Sequence, residues 1–143
     1  MFRGDLSLNL FEHRGNSTLP GKLGMQIEEL RENYLRMSLI LNESLLAPNG
    51  YLHGGTVVAL ADTVCGYATM AHLPVDALSF TTVELKCNFF ATAREGTIFA
   101  EATPVHLGRN TQVWDAKVLD QKNNKTLALF RCTNLMLWPK TAT

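Results

Sequence analysis

Apolar and polar positions alternate with a period of two over most of the chain. Leu23, Met25 and Ile27, then Leu35, Met37, Leu39 and Leu41, have polar neighbours and predict two strands at about 23–31 and 34–42, turning at Glu32-Asn33. Residues 44–52 carry Pro48, Asn49 and Gly50, the chemistry of a loop. The character then changes. From Gly54 to Ala71 the chain reads GGTVVALADTVCGYATMA, with Asp62 as its one charge. The broad apolar arc predicts a helix buried nearly all round, ended by Pro74. After it, Thr81, Val83, Leu85, Cys87 and Phe89 alternate with Thr82, Glu84, Lys86, Asn88 and Phe90, and 97–106, 111–120 and 126–138 read as further strands. Ala93-Arg94-Glu95-Gly96 predicts a turn, and Asn123-Asn124 a hairpin loop. Leu6, Leu10 and His13 have helical spacing, so a short helix is expected in the N-terminal extension, residues 1–20.

Strands joined by short turns pair as antiparallel neighbours. One sheet and one long apolar helix bury their faces together if the sheet curls around the helix. The expectation is an α+β chain whose antiparallel sheet of five to six strands wraps a long central helix. A length of 143 residues suits a single domain.

Charge narrows the partners. Thirteen Lys and Arg balance thirteen Asp and Glu, which argues against a nucleic acid, since phosphate binding needs a basic surplus. The charged fraction of 18% is below the roughly 25% usual in soluble domains, so another subunit is expected to cover part of the surface. Cys65, Cys87 and Cys132 lie far apart in apolar runs, without zinc spacing. They read as reduced core thiols of a cytoplasmic protein, and neither metal nor cofactor is expected. The apolar 54–71 stretch holds three Gly, three Thr and an acid, which argues against a membrane span.

Between Pro48 and Val83 only Asp62 and Asp76 are charged. Asp76 follows a proline in a loop, but Asp62 falls mid-helix among Val58, Leu60, Ala61 and Val64. A buried, unpaired carboxylate costs several kcal/mol. Either Asp62 is structural, bonding a hydroxyl such as Thr63 or Thr81 or reaching water at an interface, or it is a catalytic carboxylate in a cleft. His53-Gly54-Gly55 opens the helix. Two glycines there suit close approach of a ligand to orphan amides, which bind oxyanions. Eight residues separate Gly54 from Asp62, about 12 Å along a helix axis. One chain therefore cannot bring both to one carbonyl, whereas a second copy can, and an obligate dimer is expected.

HGG with LAD after it, in the stretches APNGYLHGGTVVALADTVCGY, FTTVELKCNFFATAREGT and VHLGRNTQVWDAKV, resembles the hotdog-fold thioesterases of the PaaI/acyl-CoA thioesterase group over roughly residues 20–138. The resemblance implies a sheet wrapped around the helix. It also implies homodimers joined edge to edge, often paired into tetramers, that hydrolyse acyl-CoA at the subunit interface. Carried over, Gly54 or Gly55 gives its N–H to the thioester oxygen and the partner subunit's Asp62 acts as nucleophile or general base. The hydroxyl that orients water falls on Thr82. Where some relatives have an Asn this chain has Ala47, with Asn49 two residues on as a candidate replacement.

Thioester chemistry suits so sparse a site. The leaving thiol has a pKa of about 8.5, so one carboxylate and one oxyanion site suffice. No GxSxG elbow is present. His53 either contacts the substrate carbonyl region or locks the loop before the helix. Arg109, with Asn110 and Thr111 in the turn after His106, is a candidate for a CoA phosphate, the alternative being a solvated turn arginine. Lys86 and Arg94 are weaker candidates. Arg131 is expected to pair with Glu84 or Glu101. Phe89, Phe90, Trp114 and Trp138 are candidates for an acyl pocket, or core. The sequence thus points to an enzyme hydrolysing a small, aryl- or medium-chain acyl-CoA. A non-catalytic acyl-CoA binding module on the same fold is the alternative, and no Asp/His spacing supports a hydratase.

Overall fold

The computed structural model describes residues 2, 3, 11 and 13–140. Its elements are a short helix α1 (Leu19–Leu23), strands β1 (Gln26–Arg31) and β2 (Tyr34–Ile40), a 3-10 turn (Glu43–Leu45) and the long helix α2 (Gly54–Ala71). Four strands follow: β3 (Ser79–Phe89), β4 (Thr97–Leu107), β5 (Thr111–Asp120) and β6 (Thr126–Leu137). Most of the helix expected at residues 6–13 lies outside the described residues, although Phe11 and 13–15 are helical. The strands form one antiparallel sheet in the order β1-β2-β4-β5-β6-β3. This is the α+β arrangement expected, with six strands and α2 packed in the sheet's curl.

Alternation builds the core. Leu35, Met37 and Leu39 of β2, Ile98, Ala100 and Ala102 of β4, Trp114 and Val118 of β5, and Phe130 and Cys132 of β6 face Leu60, Val64, Cys65 and Ala68 of α2. The recurring alanines bring the sheet close to the helix. Asn33 and Asn124 turn their hairpins with φ of 63° and 58°, a left-handed region that asparagine tolerates.

The connection after β3 departs from expectation. Residues 93–96 do not join neighbouring strands; among the described residues β3 pairs only with β6, and it lies three strands from β4. Seven residues, 90–96, separate the two strands, enough for a crossover beneath the sheet's end rather than a hairpin. Ala93 is buried there, and its carbonyl accepts from Leu52 N–H at 3.1 Å. Among the described residues the outer edge of β3 is thereby left unpaired.

The burial of α2 also differs from the reading of a helix covered all round. Thr56, Val57, Leu60, Ala61, Val64, Cys65, Ala68 and Thr69 are buried, while Val58, Ala59, Asp62, Thr63, Gly66, Tyr67 and Met70 form a half-buried stripe. The sheet wraps one side only, and the stripe runs beside β3.

Both ends of α2 are tied down by polar contacts. Thr56 Oγ1 donates to the Leu45 carbonyl at 2.9 Å. At the other end Gln112 Nε2 donates to the His72 carbonyl at 2.8 Å, Trp114 Nε1 to Gln112 Oε1 at 2.9 Å, and Asn134 Nδ2 to Thr69 Oγ1 at 2.7 Å. His72 Nδ1–H donates to the Ala68 carbonyl at 2.8 Å while Nε2 accepts from Asn33 N–H at 2.9 Å. This pattern fits only the neutral imidazole, since a second ring proton would face the Asn33 N–H.

Burial lowers the His72 pKa below its ordinary value. The unfolded chain therefore takes up this proton first, and stability falls as pH drops through the unfolded pKa of about 6.5. Thermal unfolding followed from pH 7.5 to 5.5 is expected to show this loss, and His72→Gln to flatten the slope while lowering stability at pH 7.5.

Candidate active site

His53 is the N-cap of α2: its backbone is extended, and Nδ1 accepts from Gly55 N–H at 2.8 Å. That geometry matches the loop-locking role and satisfies one of the orphan donors of the first turn. It also separates the two glycines. The Gly55 amide is occupied by its own histidine, and the Thr56 and Val57 amides donate to the His53 carbonyl. The Gly54 amide has no partner among the described residues and stands at the positive end of the helix. A side chain at Gly54 would meet the Phe89 ring at 3.4 Å, so Phe89 flanks this amide.

Asp62 lies two turns further on, in the half-buried stripe. One carboxylate oxygen, Oδ1, is buried without a hydrogen-bond partner among the described residues. The hydroxyl-bonded form of the structural alternative is therefore not observed among the described residues: neither Thr63 nor Thr81 bonds it, and Thr81 stands opposite Leu135 on the outer face of the sheet. Burial pushes the Asp62 carboxyl above its ordinary pKa, because a charged oxygen there loses water without gaining a donor.

The carboxylate opens into a cleft of 340 Å³ that Thr63, Thr82 and Phe80 line with it. This is within the usual range for small-ligand sites. Thr82, the hydroxyl marked by the resemblance, lines the same cleft as Asp62. Residues from the N-terminal extension and from the next turns of α2 line it as well: Phe11 stacks on Tyr67 with ring centroids 4.3 Å apart and 6° between planes. Phe11, Arg14, Tyr67, Met70 and Phe80 are cleft residues that sequence reasoning missed. Their signal was weak, since the spacing in the extension predicted a helix without saying where it would dock.

The remaining candidates lie elsewhere. Asn49 Oδ1 accepts from Tyr51 N–H at 3.2 Å in its own exposed turn. Arg109 stacks over the Trp138 ring at 4.5 Å, and the Asn110 carbonyl accepts from Met136 N–H at 2.8 Å. With Thr111 they form the β4–β5 turn, near the C-terminal end of α2. One chain alone therefore does not gather the glycines, Asp62 and Arg109. Arg131 pairs with Asp115 at 2.5 and 2.7 Å, not with Glu84 or Glu101, because Asp115 and Arg131 stand opposite each other on β5 and β6. Trp114 is core, whereas Phe89 and Phe90 are exposed.

Residues 49–127 match the family model of the thioesterase superfamily. A 1,4-dihydroxy-2-naphthoyl-CoA hydrolase of Listeria monocytogenes is 32% identical over 111 residues, 78% of this chain and 89% of the relative. A mutant of the thioesterase PA1618 from Pseudomonas aeruginosa superposes with a TM-score of 0.88 at 26% identity, covering 95% of this chain and 97% of that one. The phenylacetic acid degradation protein PaaI of Thermus thermophilus, at 24% identity and a TM-score of 0.75 over 82% of this chain and 97% of its own, shares the fold. The chain belongs to the thioesterase superfamily, with the hotdog fold, and is a thioester hydrolase. Among the described residues no helix is long and apolar enough to cross a membrane.

A carboxyl whose folded pKa is raised contributes most to stability when protonated, and that contribution is lost as pH rises through the folded value. Asp62→Asn keeps the shape and removes the charge. Its melting temperature is expected to exceed wild type at pH 7 by about 2–5 °C, and the difference to close below about pH 4, where the unfolded carboxyl is also protonated.

Proposed function

We propose that this protein is a cytoplasmic acyl-CoA thioesterase, hydrolysing a small, aryl- or medium-chain acyl-CoA to the free acid and CoA at a site shared by two subunits. The observation that carries this reading is the unpartnered Asp62 carboxylate in its apolar cleft, on the same helix that presents the open Gly54 amide. The Listeria relative's name supports a CoA thioester as substrate.

The two groups are about 12 Å apart along one helix. A two-fold pairing of β3 edges would lay two such helices antiparallel and bring the partner subunit's Asp62 toward Gly54. The half-buried stripe of α2 and the exposed Val83, Leu85 and Phe89 of β3 support that pairing, since apolar surface beside an unpaired strand edge is a ready interface.

In this reading the thioester carbonyl oxygen sits on the Gly54 amide. Asp62, its basicity raised by burial, takes a proton from water, and Thr82 orients that water. The hydroxide adds to the carbonyl carbon, and the oxyanion is held by the N–H. The carbon–sulfur bond then breaks, the acid forms, and the thiolate leaves with the proton returned from Asp62. The base contributes roughly 10²–10⁴ and the oxyanion donor roughly 10²–10³ in rate. Arg109, with Asn110 and Thr111, is the proposed contact for the CoA phosphates, and Asn49 a polar group at the mouth of the site.

Gly54→Pro tests the amide cleanly. Proline suits the first position of a helix, and the extended backbone of His53, with φ −67° and ψ 131°, already suits a residue before proline. The variant is expected to fold normally and to lose about 10²–10³ in kcat in a thiol-release assay. Asp62→Asn should lose about 10²–10⁴. A mixture of the two inactive variants should recover about a quarter of wild-type activity, since half of randomly mixed two-fold dimers keep one intact site. No recovery on mixing, with dimers present, would refute the shared site. Thiol release unchanged in Asp62→Asn would refute the mechanism.

A further inference from the structure

We propose that Arg14 determines specificity in the cleft, by recognising an anionic substituent on an aromatic acyl group at the side remote from the thioester. The inference rests on reading the Asp62 cleft as the acyl site.

The cleft favours a flat group. Phe11 and Tyr67 form a nearly parallel aromatic wall. Phe80 closes over Gly66, where a Cβ would come within 3.3 Å of the Phe80 ring, and Met70 adds a further apolar surface. Such surfaces take up a ring by offset stacking and edge contacts.

Among the described charged residues lining the cleft, Asp62 is the anion and Arg14 the cation. The backbone carrying Arg14 is held: Thr18 Oγ1 lies 3.0 Å from the Arg14 carbonyl and 3.1 Å from that of Gly15. Gly15 is buried so close beneath Tyr67 that a Cβ there would be 3.0 Å from the Tyr67 hydroxyl. The N-terminal turn therefore docks on α2 at a fixed place. Among the described residues Arg14 makes no ion pair.

Arg14 does not neutralise Asp62 either. Among the described residues no ion pair joins Arg14 to Asp62, and the buried Asp62 Oδ1 takes no hydrogen bond from its guanidinium. The two charges therefore occupy separate parts of one cleft. A carboxylate on the acyl group is repelled from Asp62 and drawn to Arg14, whose planar fork of donors fits a carboxylate. That polarity turns the thioester end of the acyl group toward Asp62.

The test compares benzoyl-CoA, 4-methylbenzoyl-CoA and 4-carboxybenzoyl-CoA in a thiol-release assay on wild type, Arg14→Gln, Arg14→Lys and Asp62→Asn. Wild type is expected to favour the 4-carboxy over the 4-methyl ester about tenfold or more in kcat/KM, as a charge-assisted hydrogen bond would give. Arg14→Gln should bring that ratio near one, and Arg14→Lys should keep part of it. Calorimetric binding of 4-carboxybenzoate and 4-methylbenzoate to wild type and Arg14→Gln gives the same comparison without turnover. A ratio that is no higher in wild type than in Arg14→Gln would overturn the proposal. So would an equal fall for all three esters, which would place Arg14 against CoA. Hydrolysis unchanged in Asp62→Asn would instead remove the acyl-site reading, while the binding comparison would still judge Arg14.

Discussion

A helix is a ruler, and the geometry of this protein is set by one. The uninterrupted run from Gly54 to Ala71 fixes the separation of its first amide from Asp62, and no side-chain motion shortens it. The Thr56 tie to the 3-10 turn and the His72–Gln112–Trp114 chain hold both ends of that helix against the sheet. Core packing on the buried side then decides which residues the other side shows. The carboxylate is displayed because Leu60, Ala61, Val64 and Cys65 around it are committed to the interior.

The same clamping explains how a poorly solvated anion persists. A flexible segment would turn Asp62 toward water or toward a hydroxyl. Here the side chain stays where Oδ1 has no donor among the described residues, and the packed face of the helix offsets the cost. Sites that hold titratable groups in unfavourable surroundings commonly draw on stability elsewhere in this way. His72 shows the contrasting solution at the far end of the same helix: both ring nitrogens are satisfied, and the ring is confined to one protonation state.

Much of this was legible in the sequence because the periodicities are clean. The helix bounds, the hairpins at Asn33 and Asn124, and the oddity of Asp62 follow from alternation, turn chemistry and one misplaced charge, whereas Thr82 was marked only by the family resemblance. The pairing of β3 was not legible. Residues 93–96 have the composition of a hairpin turn, and only the competition among strands for β6 shows that the chain crosses over instead. The exposure of α2 was missed for a related reason. Val58, Ala59 and Met70 are apolar, so the pattern cannot tell a face covered by the chain's own sheet from one left open. The partner of Arg131 depended on register between β5 and β6, which strand boundaries alone do not supply. The docking of Phe11 on Tyr67 brings together residues far apart in sequence, and no local pattern encodes it.

The placement of β3 has a consequence for the order of assembly. Among the described residues its hydrogen-bonded neighbour is β6, so the two must meet across the intervening β4–β5 hairpin. Contacts between distant segments form late, because closing a long loop must precede any gain from them. During synthesis the rim strand therefore has no template until the C-terminal strand has emerged. A nascent chain is thus kept from presenting a finished sheet edge before its interior has closed.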